Sequence, residues 1–137
     1  MFPRPALASP LRLAVLQSGL GREGPGLLLR DIRRQEADVL AARDVILAAR
    51  PDILLLLRLD YDLNNSALNA FADLLAEAGH PMPHRFALRP NTGIATGLDM
   101  DGDGRTGTPD DAQGFGRFAG AGGMAILSRH PVDTSAV

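Results

Sequence analysis

The chain contains no cysteine and no lysine. Without thiols it forms no disulfide, has no thiolate nucleophile and offers no Cys-bound zinc site, while its redox compartment stays open. All 14 basic residues are arginine, set against 16 acidic ones, for a formal net charge of −2. A balance so close to neutral makes no electrostatic case for nucleic acid or for a membrane surface. No apolar run is long enough to span a bilayer. The N-terminal stretch "MFPRPALASPLRLAVLQ" is broken by prolines and has no long apolar region, so no signal peptide is visible and the compartment is undetermined.

What is present suffices for one domain, or a piece of one: 137 residues, 45% of them hydrophobic, enough to build a packed core. Residues 1–62 carry nine Arg against eight acids, and the remainder five against eight, so the acidic excess lies in the second half. Residues 1–10 read as a loose arm. "LRLAVL" (11–16) has the length of a buried strand, "GLGREGPG" (19–26) is a glycine-rich turn, and a helical pattern runs from Leu27 to Arg50. Its apolar stripe is Val39, Ala42, Ile46 and Ala49, and Pro51 ends it. "ILLLL" (53–57) lacks polar alternation, which predicts a central strand covered on both faces and parallel to the first. Ser66 is placed to cap a helix with Leu68, Phe71, Ala72 and Leu75 on its apolar face and Gly79 as its stop. A further strand begins near His84, and "GMAILSR" (123–129) supplies the last. Between them residues 90–123 form a Gly- and Asp-rich loop without periodicity, a length that is uncommon unless the loop binds something. The class is α/β.

Four stretches carry candidate chemistry. "GLGREG" (19–24) matches G-x-G-x-x-G after a strand, and Arg58 or Asp60 at the end of the next strand could meet a ribose. Pro25 and Gly26 interrupt the helix that such a dinucleotide site needs, so a plain turn is the competing reading. "DMDGDGRTGTPD" (99–110) has the spacing of a calcium loop: Asp99, Asp101 and Asp103 alternate, Gly104 turns the chain, the Arg105 carbonyl fills a ligand position, and Asp110 takes the twelfth place. The bland alternative is a solvated Asp-Gly turn, but three crowded carboxylates repel one another without a cation. "GFGRFAGAGG" (114–123) could cradle a phosphate through its amides, against a reading in which Phe115 and Phe118 pack beneath a glycine loop. The histidines, at positions 80, 84 and 130, show no metal-ligand spacing, and neither Ser66 nor Ser128 lies in a nucleophile elbow.

Taken in order, "LRLAVLQSGLGREGPGLLLRDI", "RPDILLLLRLDYD" and "NTGIATGLDMDGDGRTGTPDDAQGFGRFAGAGGMAILSRHPV" resemble the endonuclease/exonuclease/phosphatase superfamily, specifically the N-terminal half of its bacterial branch with an Asp-rich "GLDxDGDG" insertion. The resemblance runs from Leu11 to Val132. It implies a partial α/β sandwich over residues 11–137, with a mixed sheet and flanking helices. It also implies magnesium-dependent hydrolysis of a phosphoester, in which a metal stabilises charge on phosphate and a His–Asp pair activates water. In such proteins the first strand ends in "FN" and the next in "NE", and the Asn and Glu serve the metal. Here those places read "LQ" and "LR": Gln17 stands for the Asn and Arg58 for the Glu. A guanidinium has no lone pair to give and is always charged, so the magnesium site as the family builds it is not expected. The family's Ser-Asp-His and Gly-Asp-x-Asn motifs do not occur before Val137. The expectation is a fragment, or a remnant that pairs with itself or with another chain, with no intact catalytic set. A calcium-ordered binding module and a dinucleotide-binding βαβ unit are the alternatives.

Overall fold

A computed structural model of the chain describes residues 10–133 and 135. The expected loose arm therefore lies outside the described residues except at Pro10. The elements run β1 (Leu13–Gln17), α1 (Leu27–Arg33), α2 (Ala37–Ala49), β2 (Ile53–Leu59), α3 (Ser66–Glu77), β3 (His84–Phe86) and β4 (Gly123–Ser128). The strands form one mixed sheet in the order β1-β2-β4-β3, with β1 and β2 parallel and β4 antiparallel to both its neighbours. No helix among the described residues is long and apolar enough to cross a membrane.

The core lies on one face of this sheet. Leu54 and Leu56 of β2 and Ala125 and Leu127 of β4 point into it, meeting Ile32, Val39, Ile46, Leu68, Phe71 and Leu75 from the three helices. Burying each of the larger side chains contributes about 1.5–3 kcal/mol, so this layer dominates the stability of the fold. The opposite face is not covered. Leu13, Val15 and Met124 are 68%, 67% and 63% exposed, and Ile53, Leu55 and Leu57 are only half-buried. Two expectations are thereby corrected. β1 is an exposed edge strand rather than a buried one, and β2, though central in strand order, is covered on one face alone. An unbroken run of leucines cannot distinguish these cases, because alternation carries the signal and every position is apolar.

The helical stretch is also divided. It breaks after Arg33, Gln35 takes a left-handed φ of 53°, and α2 restarts at Ala37. The apolar stripe passes through the break in phase, from Leu28 and Ile32 to Val39, Ala42 and Ile46, so periodicity hides it; Ala49, expected on that stripe, is exposed. Arg50 closes α2 in a left-handed conformation just before Pro51. At α3 the cap comes from a different residue than expected. The Asp62 carboxylate accepts the Ala67 amide at 3.0 Å, while the Ser66 hydroxyl donates to the Leu63 carbonyl. The predicted apolar face of α3 is buried throughout, and Gly79, at φ 93°, turns the chain out of the helix. His80, at that helix end, is buried with Nε2 2.9 Å from the Pro51 carbonyl, a structural contact.

Candidate functional site

β2 ends irregularly. Leu57 pairs with Met124 and Leu59 with Gly123, which leaves Arg58 as the extra residue of a β-bulge. Its φ is 58°, a left-handed conformation that costs a non-glycine residue about 1 kcal/mol or more. Bulges re-aim side chains at sheet rims, and this one puts Arg58 on the wall of a cleft of about 540 Å³. Opposite stand the glycine turn after β1 (Gly19, Gly21, Arg22) and the loop before β4 (Gly114, Phe115, Gly116, Arg117). Two of the sequence motifs, "GLGREG" and "GFGRFAGAGG", thus meet across one space with Arg58 between them. Gln17 does not line it; it is an exposed residue at the end of β1, in register with Leu57.

Asp60 ties the cleft together, a role its position in the sequence did not reveal. It is 6% exposed, and its two oxygens accept one amide from each loop: Arg22 N at 2.6 Å and Gly122 N at 2.8 Å. Burial pushes the Asp60 carboxyl above its ordinary value, against the lowering effect of those two amides. Arg22 is engaged elsewhere, with Nε 2.7 Å from Asp31 and Nη2 2.8 Å from Asp38. Arg117 pairs with Glu23 at 2.7 Å, both side chains more than half exposed, a pairing worth roughly 0–1 kcal/mol. Among the described residues the Arg58 guanidinium has no hydrogen-bond or ion-pair partner.

The cleft does not suit the magnesium ion that the resemblance implies. Among the described residues Asp60 is its one lining carboxylate, too few ligands to hold a divalent ion, and Arg58 brings a fixed positive charge. The glycine turn does not run into a helix as a dinucleotide fold requires either. α1 begins only at Leu27, past Pro25, and has seven residues. Phe115, expected beneath the glycine loop, is instead 63% exposed on the cleft wall, with a left-handed φ of 56°; Phe118 is half-buried in an adjoining hollow.

The long loop is built rather than slack. Ala95 bridges Ala112, Gly93 N donates to the Gln113 carbonyl at 2.7 Å, Gln113 N donates to the Ile94 carbonyl at 2.9 Å, and Tyr61 N donates to the Gly120 carbonyl at 2.8 Å. A Cβ at Gly93 would overlap the Phe118 carbonyl, so only glycine fits there. Asp111 is the loop's buried anchor: it accepts Met100 N at 2.6 Å and the Thr108 hydroxyl at 3.0 Å. Beyond it the Asp99, Asp101 and Asp103 carboxylates converge, with one oxygen of each within 4.8 Å of the others, all exposed. Asp110, also exposed, is not in that group, though its charge acts on Asp101. The Asp99 carboxylate accepts the amides of Gly102, Asp103 and Gly104, and the Gly104 bond foremost holds it below the usual carboxylate range. One hard cation could meet these three oxygens.

No family model matches the chain, and no curated protein matches it. A solved structure, the endonuclease/exonuclease/phosphatase from Beutenbergia cavernae DSM 12333, is similar with a TM-score of 0.44 and 21% identity over 88% of this chain. The chain covers 26% of that structure's length.

Proposed function

We propose that this chain is a metal-dependent phosphoester hydrolase by ancestry, from the N-terminal half of an endonuclease/exonuclease/phosphatase domain, and that its cleft is not a magnesium-hydrolytic centre. The sequence motifs support the ancestry. The loss of activity rests on one observation: the Arg58 guanidinium, unpartnered among the described residues, lies on the cleft wall where the resemblance expects the metal-binding Glu. Replacing −1 by +1 there turns a cation site into one that repels cations. The test is cleavage of an activated phosphodiester, bis(p-nitrophenyl) phosphate, with magnesium. Wild type is expected to show none above background. Turnover by wild type that is abolished by chelator would overturn the reading. Arg58→Glu, which puts a second carboxylate on the cleft wall, is expected to let magnesium bind in the cleft.

A second reading concerns the loop, and the convergence of Asp99, Asp101 and Asp103 favours it. Calcium at these carboxylates, with the Arg105 carbonyl and Asp110 drawn in, would order residues 99–110 and leave the cleft walls in place. A rise in melting temperature on adding calcium, absent in Asp101→Ala, is the expected result. Identical melting curves in calcium and in chelator would sink it.

A further inference from the structure

We propose that the cleft at the end of β2 takes, without any cation, a phosphoryl group attached to a planar ring, the oxyanion held by Arg58 and the ring lying on Phe115. The proposal rests on the preceding one in a single respect, that no magnesium ion sits at Arg58. It then goes further and names what does bind.

Arg58 is the first reason. The Arg58 guanidinium is exposed at the cleft wall with no protein partner among the described residues, which leaves it available to an anion, and its planar fork of donors matches phosphate oxygens two at a time. Asp60, the one carboxylate lining the cleft among the described residues, forms no ion pair with it. Arg117 is the second reason. It stands on the opposing loop, and its exposed pairing with Glu23 is weak enough to be exchanged for a stronger anion. Two guanidinium groups from separate walls suit a dianion with three oxygens better than a carboxylate with two. Phe115 is the third. An aromatic ring held 63% exposed at a cleft wall by a left-handed backbone offers a stacking face, and arginine beside it favours a flat, electron-rich partner. Arg58 and Phe115 both take left-handed backbone conformations in the same cleft, and strain of that kind collects where ligands are gripped. The volume, about 540 Å³, lies within the range of small-molecule sites.

The test is calorimetric titration of the full chain in EDTA with three probes: adenosine 5′-monophosphate, inorganic phosphate and adenosine. The nucleotide is expected to bind more tightly than either part. Arg58→Gln should weaken nucleotide and phosphate by roughly tenfold or more, the loss of a charge-assisted contact, and leave adenosine unchanged. Phe115→Ala should bring the nucleotide down to the affinity of phosphate. Melting curves check that both variants fold, and Arg58→Gly, which suits the left-handed backbone, replaces Arg58→Gln if that variant does not. Equal nucleotide binding by wild type and the Arg58 variant would overturn the proposal. So would the absence of nucleotide binding in EDTA. If binding then appears on adding magnesium, the reading of a magnesium-free cleft falls as well; if it appears under neither condition, only the present inference falls.

Discussion

The two ends of the inward-facing sheet layer are held by different physics. Under the helices, Leu54, Leu56, Phe71 and Leu75 are removed from water and held by packing. At the rim, where β2 ends and the loops meet, the ties are carboxylates that accept backbone amides: Asp60 joins two loops, Asp111 braces the longer of them from within, and Asp99 gathers the turn beyond. Packing is insensitive to pH and collapses as a unit. Carboxylate-to-amide ties are local and titrate, and removing one opens a loop while the core stands. A cleft built this way keeps a rigid floor with adjustable walls.

Phe71→Ala attacks the packed region and is expected to have the largest effect, a loss of about 3–5 kcal/mol in global stability by denaturant titration. Amides that exchange only through global unfolding, those of α3 among them, should lose protection together. Asp60→Ala attacks the rim. It leaves two inward amides without an acceptor at a cost of about 2 kcal/mol, and hydrogen exchange should speed up at Arg22 and Gly122 while α3 stays protected. If α3 exchanged as fast as the rim, the two regions would not be separable as described.

Titration sharpens the contrast without mutation. Hydrogen bonds from Arg30 and then Arg22 hold Asp31 below its ordinary value of 3.8, and the loop amides do the same for Asp99. Both groups therefore contribute stability that is complete above that value and is lost as the pH falls through their folded pKa. Asp60 has the opposite sign. Burial raises it, so its folded state keeps a proton that the unfolded chain has released, and its contribution falls as pH rises from 3.8 towards the raised value. Carboxyl carbon shifts followed by NMR should place the Asp31 and Asp99 midpoints below 3.8 and that of Asp60 above it. The smallest effect is expected from Arg58→Gly. Relief of the left-handed strain and the added freedom of the unfolded chain nearly cancel, leaving stability within about 1 kcal/mol of wild type. A large loss would show that Arg58 holds the rim together and is not free to face a ligand.

The packed region was the part legible in the sequence. The α3 stripe, the stop at Pro51 and the strand from Gly123 follow from periodicity and backbone sterics, and each lies where those rules put it. The break at Gln35 was masked because the stripe continues in phase across it, with a polar residue at one position as the only sign. The open sheet face was masked because β2 is apolar on both sides. The rim is illegible for another reason. Asp60 and Asp111 act on amides far away in sequence or in irregular chain, and no spacing rule marks a carboxylate that binds backbone. Arg58 did stand out, as a charge at the end of an apolar strand, though only the bulge shows that it reaches the cleft.

The most direct measurement is a magnesium titration followed by amide NMR shifts at Gly21, Arg22 and Gly122, in wild type and in Arg58→Glu. The account predicts no saturable shift at these three amides in wild type and a saturable one in the variant, since the charge at position 58 decides which sign of ion the cleft accepts. Saturable shifts at the same amides in wild type would place a cation beside Arg58 and contradict it.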